Sequence, residues 1–315
     1  MAAVNLALGT MYFGTTLPEA TAFDLLDRYV DAGGTWVDTA DCYTFWSDDS
    51  GHGGASETVI GRWLARRPGN RERVLLSTKV GAEPGDEGEW PANRRGLSAK
   101  AVADGVAGSL RRLGTERIDL YWSHMEDRRV ELAETVEAFA GLVADGTVGR
   151  LGASNHPLWR VERARSLARE AGLAGYSALQ LRHSYLRPRP GAPVPDQGHR
   201  FGWVTDETLD YVESDPEMAL WAYTALLNGH YVRPERTLAD AYRHPGNDLR
   251  SAALDRVAGE LGVSRNQVVL AWLAGGTPSI TPIVGVSRPE QLDEAIAGVA
   301  LALPPEHRAL LDEAA

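Results

Sequence analysis

Short apolar or β-branched runs alternate along the chain with longer stretches whose apolar residues recur three and four positions apart. The runs VNLALGTM, TWVDT, RVLLSTK, IDLYWSH, GRLGASN, SALQL, MALWAY and SITPIVG predict eight strands. Between them Val102, Val106, Leu110 and Leu113 share one face of a helix, as do Leu132, Val136, Phe139 and Val143, and later Leu292, Ile296 and Val299. Ser98 suits the N-cap of the third helix, and Pro289 with Glu290 the first turn of the last. Eight strand and helix pairs predict a (β/α)8 TIM barrel, because parallel strands need crossover helices and closure removes exposed edges. A doubly wound open sheet is the competing arrangement. No Gly/Ser linker divides the chain, so residues 1–315 read as one domain. The Pro-rich insertion LRPRPGAPVPDQGHRFGW, 186–203, follows the sixth strand and is too long for a plain connection. It reads as a lid or a loose surface loop, and Phe201 and Trp203 favour the lid because exposed aromatics need something to cover.

Composition narrows the function classes. With 43 acidic against 32 basic side chains the net charge is −11, which disfavours the basic stripe that nucleic acid or an anionic membrane requires. No apolar run approaches the 18 or so residues of a spanning helix, and the N-terminus lacks the pattern of a signal peptide, so a cytoplasmic location is expected. The single cysteine, Cys42, has no internal disulfide partner, and the eight histidines show no Cys/His ligand spacing, so no structural metal is expected.

Barrel chemistry collects at the C-terminal ends of the strands. Asp38 stands at one such end with Tyr43 just beyond, Lys79 at the next, and His124, then Ser154 with Asn155, Gln180 and Tyr223 at others. Singly these are ordinary: an aspartate that caps, a solvated lysine, a packed histidine. Together they put polar and ionisable groups on one rim, where a purely structural barrel needs none. Asp38 follows the apolar pair Trp36 and Val37, so its carboxylate requires a partner from elsewhere.

In order along the chain, LGTMYFG, DTADCY with ASETVIGRWL downstream, LLSTKVG, SLRRLGTERIDLYWSH, GRLGASN, LQLRHSYL, AYTALLNG and IVGVSRPEQLDEA resemble the pattern of the aldo-keto reductases over nearly the whole length. The resemblance implies a barrel that binds NADP(H) in an extended pose and reduces an aldehyde or ketone to an alcohol. By matching position it makes Tyr43 the proton donor, Lys79 and Asp38 its charged partners, and His124 the group that orients the substrate oxygen. A free phenol has a pKa of about 10. An adjacent ammonium, itself neutralised by Asp38, is expected to make it more acidic.

The glycine-rich GHGG at 51–54 does not lie between a strand and a helix as GxGxxG does in a Rossmann fold, and reads as a flexible turn. The resemblance instead assigns the nicotinamide carboxamide to Ser154, Asn155 and Gln180, with Tyr223 stacked on the ring and Thr224, Leu226 and Asn228 following it. Gly285, Ser287, Arg288 and Gln291 would take the adenosine end, where Arg288 can pair with a 2′-phosphate at a helix N-terminus. Two departures stand out: Ala295 where an asparagine is common, and AYTALL where Ser-Pro-Leu is usual. Tyr12, Trp46, Trp90, Trp122 and Trp203 are the candidate walls of a pocket for an apolar or sugar-like carbonyl compound. A small molecule is therefore the expected partner, and the pattern carries no signal of subunit association. Two rivals remain: an NADP(H)-binding regulatory subunit resembling potassium-channel β subunits, and a lyase or isomerase forming a Schiff base on Lys79, which would need an unpaired lysine.

Overall fold

Eight parallel strands, neighbours in sequence order, close into a barrel in the computed structural model, which describes residues 4–194, 201–233 and 235–314. They are β1 (Ala7–Gly9), β2 (Trp36–Asp38), β3 (Leu75–Val80), β4 (Ile118–Ser123), β5 (Val148–Ser154), β6 (Tyr176–Arg182), β7 (Ala219–Tyr223) and β8 (Ile280–Gly285). Each lies within or overlaps a run read from the sequence, and β1 pairs with both β2 and β8, which completes closure and excludes the open doubly wound sheet.

The crossovers carry α1 (Glu19–Asp31), α2 (Ala55–Arg66), α3 (Ala99–Leu113), α4 (Leu132–Ala144), α5 (Leu158–Glu170), α6 (Asp206–Glu213) and α7 (Pro245–Leu261). A further helix, α8 (Arg265–Ala274), precedes β8, and α9 (Pro289–Ala300) and α10 (Pro305–Glu313) follow it. Strict pairing of strand and helix therefore fails at the C-terminal end. The helix opened by Pro289 is not the last, because Pro304 restarts the chain as α10 and Leu311 seals it to the body. Local signals set the boundaries: the Ser98 side chain accepts from Ala101 N at the start of α3, and Gly114 closes that helix in the left-handed conformation.

Two apolar regions result from the period of two along each strand. Outward-facing residues such as Leu8, Val37 and Leu76 pack under the helices with Leu25, Ile60 and Val106. Inward-facing residues fill the barrel with a smaller cluster of Ala7, Leu120, Trp122, Ala178 and Trp221, edged by Trp36. Gly152 belongs to this packing, because a Cβ there would stand 2.2 Å from the Trp122 ring. The tryptophans form a plug below the rim, and polar side chains occupy the layer above it.

Candidate active site

Alternation along β2 turns Trp36 and Asp38 inward, one above the other. Asp38 is 1% exposed and its carboxylate is fully engaged: Lys79 Nζ lies 2.6 Å away, Ser77 Oγ 2.5 Å and Gln180 Nε2 3.2 Å. Lys79, wholly buried on β3, also donates to Thr39 O at 2.7 Å and to Tyr43 Oη at 2.8 Å. The three ammonium protons are thereby used. Since an ammonium only donates, Tyr43 Oη must accept, which leaves the phenol's own proton free to point elsewhere. His124 follows β4, held by its N–H on Val80 O at 2.9 Å, and its ring meets that of Tyr43 edge-on at 6.0 Å between centroids. Asp38, Tyr43, Lys79 and His124 thus share one corner of the rim.

The electrostatics differ from the expectation in one respect. Burial pushes the Tyr43 phenol up to about 12, further than Lys79 draws it down, and Asp38 adds to the rise. The resting phenol is therefore neutral and carries its proton at physiological pH. Burial pulls Lys79 down, but the charges and hydrogen bonds of Asp38 and Tyr43 outweigh it and hold the ammonium above its ordinary value. Lys79 is paired with Asp38 at 2.6 Å, so it is not the unpaired lysine that the Schiff-base reading needs.

The carboxamide candidates are buried beside this corner. Ser154 ends β5, and Asn155 takes a left-handed backbone at φ 58°. The Asn155 amide is occupied within the protein: Nδ2 donates to His124 O at 3.0 Å and Ser154 Oγ at 3.1 Å, while Oδ1 accepts from Tyr223 Oη at 2.7 Å. It anchors the Tyr223 ring, and Ser154 and Gln180 keep polar capacity to spare: the Ser154 hydroxyl proton and Gln180 Oε1. Beyond β7, Thr224, Leu227 and Asn228 all have positive φ and Leu226 opens a single 3₁₀ turn, a strained path for side chains with a Cβ. Strain of that kind gathers at ligand clamps. Past Gly285, Gln291 Oε1 accepts from Ser287 N at 2.9 Å and Ser287 Oγ at 3.1 Å, which braces the entry to α9. Arg288, the residue before that helix, is exposed, and among the described residues its guanidinium makes no ion pair. These features fit a dinucleotide laid from Tyr223 to the α9 N-terminus.

Of the five aromatic candidates, Tyr12, Trp46 and Trp90 are exposed on loops after β1, β2 and β3. Trp46 and Trp90 both pack on Phe45, two residues past Tyr43, with centroids at 5.1 and 5.6 Å. Trp203 is partly buried, with Arg182 of β6 over its ring at 5.2 Å. Phe201 faces Arg128 at 5.6 Å, while 195–200 of the insertion lie outside the described residues. Trp122 is not a wall of the mouth. It lies two positions before His124 on the same inward face, one layer deeper, wholly buried, with Nε1 on Ser77 Oγ at 2.8 Å. The GHGG turn has left-handed Gly51 and Gly54, and Gly53 N donates to the Glu83 carboxylate, so its middle is pinned.

Sequence reasoning passed over Ser77. It lies two residues before Lys79, so the strand period alone turns it to the same interior, and that was the available signal. Asp41 and Cys42 precede Tyr43 in the same turn, and Met125, after β4, packs in one small cluster with Cys42 and Tyr43; no spacing along the chain marked that grouping.

A profile of the Aldo/keto reductase family matches residues 5–315. An uncharacterized oxidoreductase of Bacillus subtilis (strain 168) is 32% identical over 98% of this chain and 91% of its own length. A norsolorinic acid reductase of Emericella nidulans is 31% identical over 96% of this chain and 75% of its own. An aryl-alcohol dehydrogenase of Pestalotiopsis microspora is 30% identical over 96% and 76% respectively. Among solved structures, a thermostable aldo-keto reductase in complex with the inhibitor epalrestat superposes with a TM-score of 0.72 at 24% identity, covering 99% of this chain and 95% of its own, and shares the fold. Among the described residues no helix is long and apolar enough to cross a membrane.

Proposed function

The chain belongs to the Aldo/keto reductase family, and from that premise we propose that it is an NADP(H)-dependent reductase of an aldehyde or ketone. The observation that carries the reading is the hydrogen bond from Lys79 Nζ to Tyr43 Oη, 2.8 Å long, backed by the Lys79–Asp38 pair at 2.6 Å. A neutral phenol whose oxygen already accepts from an ammonium is poised to give up its proton to a second oxygen. As charge grows on the substrate oxygen, Tyr43 protonates it, and the ammonium stabilises the phenolate left behind. Asp38 keeps Lys79 charged and fixed throughout. The ring of His124 beside Tyr43 is placed to donate to the same oxygen.

Bound nicotinamide would supply the hydride to the carbonyl carbon. Ser154 and Gln180 would hold its carboxamide, Tyr223, steadied by Asn155, would back the ring, and Arg288 with Ser287 would receive the 2′-phosphate. Phe45, Trp46 and Trp90 offer an aromatic wall near Tyr43, and relatives named as an aryl-alcohol dehydrogenase and a norsolorinic acid reductase support aryl carbonyl compounds as the first substrates to try. The test is consumption of NADPH, followed by absorbance, against aryl and alkyl aldehydes, ketones and keto-sugars. Tyr43→Phe should keep NADPH affinity and lose about 10²- to 10⁴-fold in turnover. A variant as active as the parent would remove Tyr43 from the mechanism.

A further inference from the structure

We propose that Asp41, Cys42 and His124 form a binding site for a thiophilic divalent cation, with Zn²⁺ as its ordinary occupant. Cys42 Sγ and His124 Nδ1 are 3.5 Å apart. With Zn–S about 2.3 Å and Zn–N about 2.0–2.1 Å, two ligands of one tetrahedral zinc stand about 3.5 Å apart. The pair is therefore already at chelating distance. A carboxylate oxygen of Asp41 completes a set whose ligand atoms all lie within 4.8 Å of one another, so closure needs a shift of about 1 Å.

A second observation points the same way. Asp41 is only 6% exposed, yet its Oδ1 accepts no hydrogen bond among the described residues. A buried carboxylate oxygen without a partner is costly, and a cation would satisfy it. The charges also close: a thiolate and a carboxylate neutralise a dication, and the imidazole binds neutral. On binding, the Cys42 thiol proton, and that of Asp41 when it carries one, leave to solvent. Glu57 and Glu83 add negative field at this place, against Lys79 and Arg112. Met125 packs in the same small cluster as Cys42 and contributes a soft thioether to the surroundings. With three protein ligands, the fourth position is left for water. Asp41 and Cys42 sit in the turn after β2 and His124 82 residues on, after β4, so no local spacing announces the set.

The site does not depend on reductase turnover, and its test reads binding directly. The full-length protein, freed of chelator, is titrated with Cd²⁺ while the ultraviolet thiolate-to-cadmium charge-transfer band is followed, and Zn²⁺ is then added in competition. One saturating equivalent, displaced by Zn²⁺, is expected. Cys42→Ala should abolish the band. Asp41→Asn should keep it but weaken binding by at least about tenfold. No saturable band in the parent protein overturns the site. So does an Asp41→Asn variant that binds as tightly as the parent, because the carboxylate would then not be one of the ligands.

Discussion

The indole Nε1 of Trp122 donates to Ser77 Oγ at 2.8 Å, and that hydroxyl in turn donates to Asp38 Oδ1 at 2.5 Å. A hydrogen-bonded line thus runs from the apolar plug of the barrel up to the carboxylate that holds Lys79. Removing the middle of the line strands a buried N–H and one lone pair of a buried carboxylate. Ser77→Ala should therefore cost about 1–3 kcal/mol of stability in urea unfolding. It should lower kcat more than KM, since it loosens the support of Tyr43 without touching a substrate contact. A fully stable variant with unchanged kcat would show the line to be incidental.

The Lys79–Asp38 pair is buried on both sides. Asp38→Asn leaves the ammonium without its counter-charge and should destabilise the protein by about 3–5 kcal/mol. Asp38→Asn combined with Lys79→Met removes both charges and should recover most of that loss while staying inactive. Chemical denaturation of the parent, the single and the double variant checks this. A double variant no more stable than Asp38→Asn alone would mean that the unpaired ammonium was not the cost.

Tyr43 sits at about 12, above the ordinary phenol value of 10.0, because burial outweighs Lys79. The protonated form, which reduction needs, is therefore complete throughout the neutral range. The rate of carbonyl reduction should be flat from about pH 6 to about pH 9. Alcohol oxidation needs the phenolate, whose fraction grows about tenfold per pH unit below its pKa, so that direction should climb steadily into alkali. Profiles of kcat in both directions test the pair of statements, and a neutral inflection in reduction that disappears in Tyr43→Phe would contradict them.

Arg288 is exposed and makes no ion pair among the described residues, at the mouth of a helix whose first N–H groups favour anions. Arg288→Ala should weaken NADPH binding by about tenfold, near 1.4 kcal/mol, and leave NADH binding alone. Fluorescence titration with both nucleotides decides it. An equal loss for both would take the 2′-phosphate away from this residue.

Much of this protein is written along the chain, because alternation and helical spacing are local properties. The eight strands, the Ser98 cap and the placing of Asp38, Lys79, His124, Ser154 and Gln180 at or near strand ends follow from patterns a few residues long. Even the inward turn of Ser77 is contained in its distance from Lys79. What the chain order does not contain is depth and company. Trp122 could line a pocket by residue type alone and becomes part of the plug, because Gly152, its partner on the neighbouring strand β5, leaves room for its ring. The acidity of Tyr43 is set by how completely water is excluded around it, and that exclusion outweighs the ammonium its sequence position promised. Asp41, Cys42 and His124 meet only because β2 and β4 flank β3, so a contact between residues 82 positions apart depends on the order of strands in the sheet. Pattern fixes which way each side chain faces, whereas packing decides how far it lies from solvent and which charges it must answer.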